Sequence, residues 1–228
     1  MNNKSLVVAV DGYASSGKST LAKDIARELS IAYVDTGAMY RAVTHYFQEY
    51  GVDIFDSSAI ETALSNINIK FKPSRESGKS ETYLNGNVVE KKIRELKVSS
   101  QVSEVSALRL VRDFLVAQQR QMGYNTDMVM DGRDIGTIVF PEARVKFFVF
   151  ANLEIRAQRR YNELNAKGSL ASYNEVLSNL EHRDLIDTTR KIAPLKKAED
   201  AFQIDNSKIG VSEQLKLALD YINDILKT

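Results

Sequence analysis

The sequence predicts an α/β protein in which a mostly parallel sheet is covered by helices. Short apolar runs typical of buried strands alternate with longer stretches whose apolar residues recur at helical spacing. This alternation is typical of a parallel sheet, because the connection between two parallel strands is usually a helix. The 228 residues are enough for a sizeable core, and we expect one domain over residues 1–228.

Five apolar runs are the predicted strands of this sheet. They are Leu6 to Val10, Tyr33 to Val34, Met128 to Met130, Val145 to Ala151 and Phe202 to Ile204. Six stretches of helical spacing are the predicted helices. They cover Lys18 to Leu29, Ala38 to Tyr50, Lys97 to Gln121, Leu153 to Ala166, Tyr173 to Leu185 and the residues from Ser212 onward. Strands and helices therefore follow one another as a parallel sheet with helices on both faces requires.

Residues 65–95 depart from this alternation. Apolar and polar residues alternate from Ile67 to Phe71, which predicts a strand with one exposed face. Asn85-Gly86 lies between two short apolar segments and strongly favours a tight hairpin turn. These segments are Thr82 to Leu84 and Val88 to Val89, and Pro73 to Ser80 is a predicted loop before them. We therefore expect a small antiparallel insert in this part of the chain.

Composition excludes several classes of function. Lys and Arg number 31 and Asp and Glu 30, so the chain lacks the broad basic face with which proteins bind nucleic-acid polymers. It has no Cys, which excludes disulfides, thiolate metal sites and cysteine nucleophiles and is compatible with the cytoplasm. No apolar run approaches the ~18 residues of a membrane span, and Leu6 to Val10 is too short for a signal peptide. We expect a cytoplasmic protein with small-molecule partners and no membrane association.

The strongest functional signal is the glycine-rich segment that follows the first predicted strand. Its residues fit the pattern G-x-x-x-x-G-K-[ST] and are Gly12, Tyr13, Ala14, Ser15, Ser16, Gly17, Lys18 and Ser19. In such a loop, backbone N–H groups surround phosphates, the lysine reaches the β and γ phosphates, and the hydroxyl binds Mg²⁺. The helix that follows, with Thr20 in its first turn, adds a partial positive charge. A chance match is the alternative, but the position between a strand and a helix favours nucleoside triphosphate binding.

The rest of the sequence narrows the kind of triphosphate-using protein. It lacks the N-K-x-D motif of GTPases and the serine-glycine-glycine signature of transporter ATPases, which leaves a small phosphotransferase. Arginines on separate elements would suit phosphate-bearing substrates, because a guanidinium binds phosphate bidentately. The candidates are Arg41, Arg112, Arg133, Arg183 and Arg190. Solvated surface arginine is the alternative, and spacing alone does not decide between the two.

Three further segments resemble the motifs of the bacterial cytidylate kinase family. The segments are Thr36-Gly37-x-x-Tyr40-Arg41, Asp131-Gly132-Arg133-Asp134-x-Gly136-Thr137-x-Val139-Phe140-Pro141 and Arg183-Asp184-x-x-Asp187-x-x-Arg190-x-x-Ala193-Pro194-Leu195. They follow the phosphate loop in the order of that family, which carries an acceptor-binding region where residues 65–95 form the predicted insert. The resemblance implies a P-loop NTPase-like fold and transfer of the γ-phosphoryl group of ATP to CMP or dCMP, for pyrimidine nucleotide metabolism.

The resemblance also implies roles for individual residues. Those implied to hold the acceptor phosphate, and to act in catalysis with Lys18, are Arg41, Arg133 and Arg190. Those implied to read the cytosine base are Ser103, Arg112 and Asp134, and those implied to contact the ribose are Arg183 and Asp187. Thr36 stands where the family usually has serine and belongs to the same acceptor set.

The proposed base contact of Asp134 has a chemical reason. Cytosine presents an exocyclic amino group that a carboxylate accepts, whereas uracil presents a carbonyl there. Asp134 would therefore favour CMP over UMP by about 1 to 3 kcal/mol. Among several nearby serines, Ser103 is chosen because it has the family's spacing to Arg112. Arg109 stands where the family commonly has proline, so the sequence does not decide the geometry of the helix at this position.

Ser19 and Asp131 are the candidate ligands of Mg²⁺. Asp131 ends the apolar run Met128 to Met130, where phosphate-loop proteins carry an acid that orients the metal; a turn residue is the alternative. Residues 156–185 are expected to form a helical lid. The arginines at its start are Arg156, Arg159 and Arg160. A solvated basic face explains these arginines equally well, and the sequence does not choose among them.

The absence of an obvious general base agrees with this reaction, because a phosphate monoester with a second pKa of about 6 is largely ionised at neutral pH. His45 and His182 are therefore interpreted as structural or surface residues. Two other functions remain open. One is a kinase for UMP or a non-nucleotide acceptor, and the other is a nucleotide-binding regulatory module that acts through a protein partner. For the favoured function we expect a monomer.

Overall fold

The computed structural model describes residues 5–73, 80–168 and 170–227. Among them the chain forms two compact units. The first consists of the residues up to Val34 and from Arg120 onward, and the second of Asp35–Gln119. The predicted loop from Pro73 to Ser80 falls largely on residues 74–79, which lie outside the described residues.

Strands and helices alternate along most of the described chain. The strands are β1 (Val7–Gly12), β2 (Ala32–Asp35), β3 (Ile69–Pro73), β4 (Ser80–Leu84), β5 (Asn87–Val88), β6 (Met128–Gly132), β7 (Val145–Phe150) and β8 (Phe202–Asp205). The helices are α1 (Lys18–Leu29), α2 (Thr36–Tyr50), α3 (Ser57–Ser65), α4 (Leu96–Ala107), α5 (Arg109–Met122), α6 (Leu153–Ala166), α7 (Tyr173–Thr189) and α8 (Val211–Lys227). Within this described part, no helix has the length and apolar character needed to cross a membrane.

The first unit is built on a five-stranded sheet with the strand order β2-β6-β1-β7-β8. β1 pairs in parallel with β6 and with β7, and β7 pairs in parallel with β8, which confirms the predicted fold class. All residues of β1 are buried, as a continuous apolar run predicts for a strand covered on both faces. α1 and α8 pack against this sheet through Leu21, Ile25 and Ile222. Because β1 and β6 are parallel neighbours, the loops that follow them begin side by side.

The second unit contains the small antiparallel sheet that the sequence predicts. Its strand order is β3-β4-β5, with antiparallel pairing throughout. Asn85 and Gly86 connect β4 to β5 with φ of 49° and 84°, the left-handed values that a two-residue hairpin of this type requires. α3 was not predicted. It begins after Asp56, whose carboxylate accepts hydrogen bonds from the backbone N–H groups of Ser58 and Ala59.

The prediction of one helix from Lys97 to Gln121 is wrong, because the structure has α4 and α5 separated at Leu108. That residue is extended, with φ of −69° and ψ of 127°. Arg109 is the first residue of α5, a position that suits proline, and proline would also favour an extended residue before it. The break between α4 and α5 is therefore present although this chain has arginine where the family commonly has proline. A π-helical turn, Ile135–Val139, follows β6 and was also not predicted.

Candidate active site

The phosphate loop connects the central strand β1 to α1 in the first unit. A Cβ atom on Gly12 would lie 2.0 Å from the backbone oxygen of Val149, so the neighbouring strand requires glycine there. Lys18 is buried at the start of α1 and donates a hydrogen bond of 3.2 Å from Nζ to the backbone oxygen of Tyr13. The first turn of α1 contains no acidic residue, so its N-terminal partial charge remains available to an anion.

Ser19 and Asp131, the predicted metal ligands, lie in direct contact. The hydroxyl of Ser19 donates a 2.7 Å hydrogen bond to Oδ2 of Asp131, which is buried in β6. Tyr33 donates a second 2.7 Å bond to Oδ1. The sequence marked Tyr33 only as a strand residue, since no motif contains it. A hydroxyl and a carboxylate fit Mg²⁺, which takes few protein oxygens and completes its shell with phosphates and water. Among the described residues no group of three or more His, Asp and Glu could hold a metal by itself.

A cluster of arginines and carboxylates, most of them buried, lies in the same unit, between the segment after β6 and the end of α7. Nε of Arg133 donates a 2.9 Å hydrogen bond to Oδ2 of Asp187. Arg190 lies 4.0 Å from Asp187 and 3.8 Å from Asp134. The structure thus brings together four of the residues that the sequence predicts for the acceptor.

The charges of this cluster act on one another. Burial raises the pKa of Asp187, but Arg133, Arg183 and Arg190 outweigh burial and hold that pKa below its usual value. Burial, and secondarily the charge of Arg133, lower the pKa of Arg183 to about 10. The charge of Arg133 adds to the effect of burial, so two positive charges repel one another at this position, and an anionic ligand would reduce that repulsion.

Asp11 holds the segment that carries Arg133 and Asp134. Its carboxylate accepts hydrogen bonds of 2.8 Å from the backbone N–H groups of Ile135 and Gly136, at the start of the π-helical turn. Burial raises the pKa of Asp11 to about 7, against the opposing effect of these two N–H donors. Asp11 lies directly before the phosphate loop and belongs to none of the sequence motifs. An acid placed inside a buried strand just before the phosphate loop was the available signal.

The second unit holds the remaining predicted acceptor residues, and all four are buried. They are Thr36, Arg41, Ser103 and Arg112. Thr36 begins α2, where the carboxylate of Asp35 caps the helix by accepting the N–H of Ala38 at 2.9 Å.

Arg41 and Arg112 are each fixed by neighbours within this unit. Arg41 donates hydrogen bonds to the backbone oxygen of Ile93 at 3.0 Å and to Oγ of Ser99 at 3.2 Å. Arg112 donates to the backbone oxygen of Ser106 at 3.2 Å, and its guanidinium lies 5.5 Å from the ring centre of Tyr40. These contacts hold both guanidinium groups away from bulk solvent, which contradicts the surface alternative for them.

The hydroxyl of Ser103 has no hydrogen-bond partner among the described residues, although it is buried. Buried polar groups are nearly always paired, so a hydroxyl left over in this way suits contact with a ligand. Ser103 was predicted from its spacing to Arg112 alone. Its burial is an independent reason to expect a ligand contact there.

The three arginines at the start of the predicted lid differ in their contacts. Arg156 pairs with Asp184 at 2.7 Å and donates to the backbone oxygen of Ala14 at 3.4 Å. Arg159 donates to the backbone oxygen of Asn206 at 2.7 Å, and Arg160 pairs with Glu163 at 2.9 Å. All three are therefore in side-chain contacts, and Arg156 and Arg159 both contact backbone oxygens of the phosphate loop, those of Ala14 and Ser16.

The two histidines lie outside these clusters of contacts. His45 is on α2, where Nε2 is 3.6 Å from Oε2 of Glu49, and His182 is exposed on α7. Their positions agree with the structural or surface interpretation.

Comparison with known proteins gives a family match over nearly the whole chain. The family model described as cytidylate kinase matches residues 8–224. The cytidylate kinase of Bacteroides thetaiotaomicron is 49% identical over 227 residues, 98% of this chain and 99% of that protein. That of Bacteroides fragilis is 52% identical over 214 residues, 92% of this chain and 93% of that protein. The crystal structure of an uncharacterized protein from Eubacterium ventriosum has a TM-score of 0.52 at 11% identity, and the match covers 96% of this chain and 98% of that one.

Proposed function

The chain belongs to the cytidylate kinase family, and on that premise we propose how its residues carry out the reaction. The protein is a phosphotransferase that moves the γ-phosphoryl group of ATP to CMP, giving CDP and ADP. We extend the acceptor to dCMP and assign the reaction to pyrimidine nucleotide metabolism, because the resemblance of the acceptor motifs implies both.

The observation that carries the assignment of residues is the arginine cluster around Asp187. Arg133 and Arg190 contact this carboxylate, and Arg183 contributes to the lowering of its pKa. A phosphate monoester carries nearly two negative charges at neutral pH and accepts bidentate hydrogen bonds from guanidinium groups. The cluster therefore supports a phosphate-bearing acceptor over a neutral one such as a sugar hydroxyl.

The donor site is assigned to the phosphate loop and the start of α1. Residues Gly12 to Thr20 hold the phosphates of ATP through backbone N–H groups, and Lys18 binds the β and γ phosphates. The oxygens of Ser19 and Asp131 would hold Mg²⁺, and their 2.7 Å contact supports this pairing. Bound Mg²⁺ supplies neutralisation of the charge on the β and γ phosphates.

The acceptor residues are assigned by what their side chains offer. Those assigned to the phosphate of CMP are Arg41, Arg133 and Arg190, and those assigned to the ribose are Arg183 and Asp187. Those assigned to cytosine are Ser103, Arg112 and Asp134, and the hydroxyl of Thr36 completes the set. The buried hydroxyl of Ser103 and the buried carboxylate of Asp134 support the base contacts.

The reaction then depends on positioning and charge and needs no general base. The attacking oxygen of CMP is already ionised at neutral pH. Lys18 stabilises the charge that develops on the oxygen bridging the β and γ phosphates, and the arginines reduce the repulsion between the two anionic substrates. Positioning and charge stabilisation of this kind supply most of the catalysis in phosphoryl transfer.

We propose the remaining organisation from the same resemblance. Residues 1–228 act as a single kinase domain, residues 65–95 as the acceptor-binding insert, and residues 156–185 as the lid. The packing of Ala14 with Ala157 and Leu180, from α6 and α7, supports a lid that acts on the phosphate loop. We expect a monomer in the cytoplasm, where ATP and CMP are available.

A coupled assay of ADP release with five acceptors tests this function. CMP and dCMP should give the highest kcat/KM, at least about 10-fold above UMP, AMP and shikimate. The variant Lys18→Ala should lose activity with every acceptor. A higher kcat/KM for UMP or shikimate would overturn the acceptor assignment. ADP release that is independent of the acceptor would instead favour the regulatory module.

A further inference from the structure

We propose that Asn206 is a positioning residue that holds the phosphate loop in its ATP-binding conformation. Asn206 follows β8 and is 5% exposed. Its Nδ2 donates a hydrogen bond of 2.7 Å to the backbone oxygen of Ser16, which is 190 residues away in the sequence. The inference rests on the proposed role of the loop in binding ATP.

The backbone of Asn206 is itself fixed at both of its polar groups. Its N–H donates a 2.8 Å hydrogen bond to the backbone oxygen of Phe150, at the end of β7. Its backbone oxygen accepts a 2.7 Å hydrogen bond from Arg159 of α6. The same guanidinium approaches the backbone oxygen of Ser16 at 3.5 Å. The backbone of Asn206 is therefore held in place by the end of β7 and by α6, and its side chain connects the phosphate loop to them.

The chemistry of this contact selects an amide at position 206. A backbone oxygen can only accept hydrogen bonds, so the atom facing Ser16 must carry a proton, as Nδ2 does. The side chain also fills the space beside Gly17. A Cβ atom on Gly17 would lie 2.1 Å from Nδ2 of Asn206, and the φ of Gly17 is 94°, a left-handed value. Position 17 is thus restricted to glycine by Asn206 as well as by its backbone conformation.

The contact determines where the N–H of Gly17 points. The C=O of Ser16 and the N–H of Gly17 belong to one planar trans peptide and point in opposite directions. A hydrogen bond that holds the C=O towards Asn206 therefore directs the N–H to the opposite side, as phosphate binding by such a loop requires. Asn206 acts through this peptide, without contact to ATP in the proposed arrangement.

The variants Asn206→Asp and Asn206→Ala test this inference against the matched control Asn152→Asp. Aspartate keeps the shape but turns an unprotonated oxygen towards Ser16, and alanine removes the donor. Asn152 is exposed beside α6 and its side chain makes no capping bond, so the control makes the same amide-to-acid change without the contact. We measure the ATP dissociation constant by calorimetry, and the KM values of ATP and CMP separately.

We expect Asn206→Asp to raise the ATP dissociation constant at least about 10-fold, and Asn206→Ala about 3-fold, from the loss of one buried hydrogen bond. The KM of CMP at saturating ATP and both constants of Asn152→Asp should stay near the wild-type values. If Asn206→Asp fails to fold, Asn206→Ala decides. An unchanged ATP dissociation constant in the folded variant, or equal rises in both KM values, would overturn the inference. A wild-type protein that binds ATP but does not phosphorylate CMP would contradict the proposed function alone.

Discussion

Nε of Arg133 donates a hydrogen bond of 2.9 Å to Oδ2 of Asp187, and the two side chains are only 15% and 5% exposed. The first residue is proposed to hold the phosphate of CMP and the second its ribose. Each side chain therefore orients the other before the acceptor binds. A pair so far removed from water is costly to break from one side, because the remaining charge is left buried without its partner.

We predict that Asp187→Asn lowers the free energy of unfolding by about 3 kcal/mol at pH 7. The KM of CMP should rise, whereas the dissociation constant of ATP should stay unchanged. Urea unfolding and steady-state kinetics measure these effects. Asp113→Asn is the matched control, because Asp113 pairs with Arg109 at 3.5 Å but is 67% exposed. Its expected loss is below about 0.5 kcal/mol. Equal losses in the two variants would contradict the prediction.

We predict that Ser103→Ala weakens CMP binding without weakening the fold. The hydroxyl has no partner among the described residues, so its removal leaves no protein group unsatisfied. One hydrogen bond to the base would be lost, and the KM of CMP should rise about 3- to 10-fold. Ser106→Ala should do the opposite. Its hydroxyl donates a 2.9 Å bond to the backbone oxygen of Ser103, so stability should fall by about 1 kcal/mol with little change in the KM of CMP.

Thermal melting and CMP kinetics on both serine variants distinguish the two outcomes. If Ser103→Ala melts earlier than the wild type while its KM for CMP is unchanged, the hydroxyl is structural.

The sequence predicted the elements whose pattern is local. α1 and α6 begin and end at the predicted residues, since their apolar spacing and their flanking residues agree. The break at Leu108 had no such signal. Apolar residues continue at helical spacing on both sides of it, and leucine itself favours a helix. No local pattern in this stretch therefore predicts the extended conformation of Leu108.

The same reasoning explains which site residues were missed. Arg41 and Arg133 lie in motifs with recognisable spacing, and their positions follow from a resemblance. The side chain of Asp11 accepts hydrogen bonds from backbone N–H groups 124 and 125 residues away, and that of Asn206 donates one to a backbone oxygen 190 residues away. A backbone N–H or C=O group is present whatever the residue type, so the sequence does not identify it as a hydrogen-bond partner. Only the fold shows these two contacts.

We predict that Asp131→Asn raises the Mg²⁺ concentration needed for half-maximal activity at least about 10-fold, because a charged ligand oxygen is replaced by a neutral one. Tyr33→Phe is the matched variant. It removes the 2.7 Å hydrogen bond to Oδ1 of Asp131 but keeps the carboxylate and its contact with Ser19. Its effect should be smaller, about 3-fold, because one hydrogen bond is lost while both carboxylate oxygens remain. Titration of activity with Mg²⁺ at saturating nucleotides measures both. An unchanged Mg²⁺ requirement in Asp131→Asn would exclude Asp131 as a metal ligand.

We predict that Asp134→Asn reduces the preference for CMP over UMP by at least about 10-fold in kcat/KM. The amide can still accept from the amino group of cytosine, but it can also donate to the carbonyl of uracil. Asp134→Ala should reduce the preference mainly by weakening CMP. The dissociation constant of ATP should not change in either variant. If the ratio of kcat/KM for CMP to that for UMP is the same in the wild type and in both variants, Asp134 does not take part in base recognition.

We predict that Asp11 makes stability depend on pH between about pH 4 and 7. Burial raises its pKa to about 7 in the folded protein, whereas an aspartate in the unfolded chain titrates near pH ~4. The contribution of Asp11 is therefore present below pH ~4 and lost as the pH rises towards 7, by up to about 1.4 kcal/mol per pH unit. Asp11→Asn has no such proton. We expect the difference in free energy of unfolding between wild type and Asp11→Asn to fall steadily as the pH rises. Urea unfolding at about pH 5, 6 and 7 measures this difference. A constant difference would mean that the N–H groups of Ile135 and Gly136 outweigh burial and keep the carboxylate ionised.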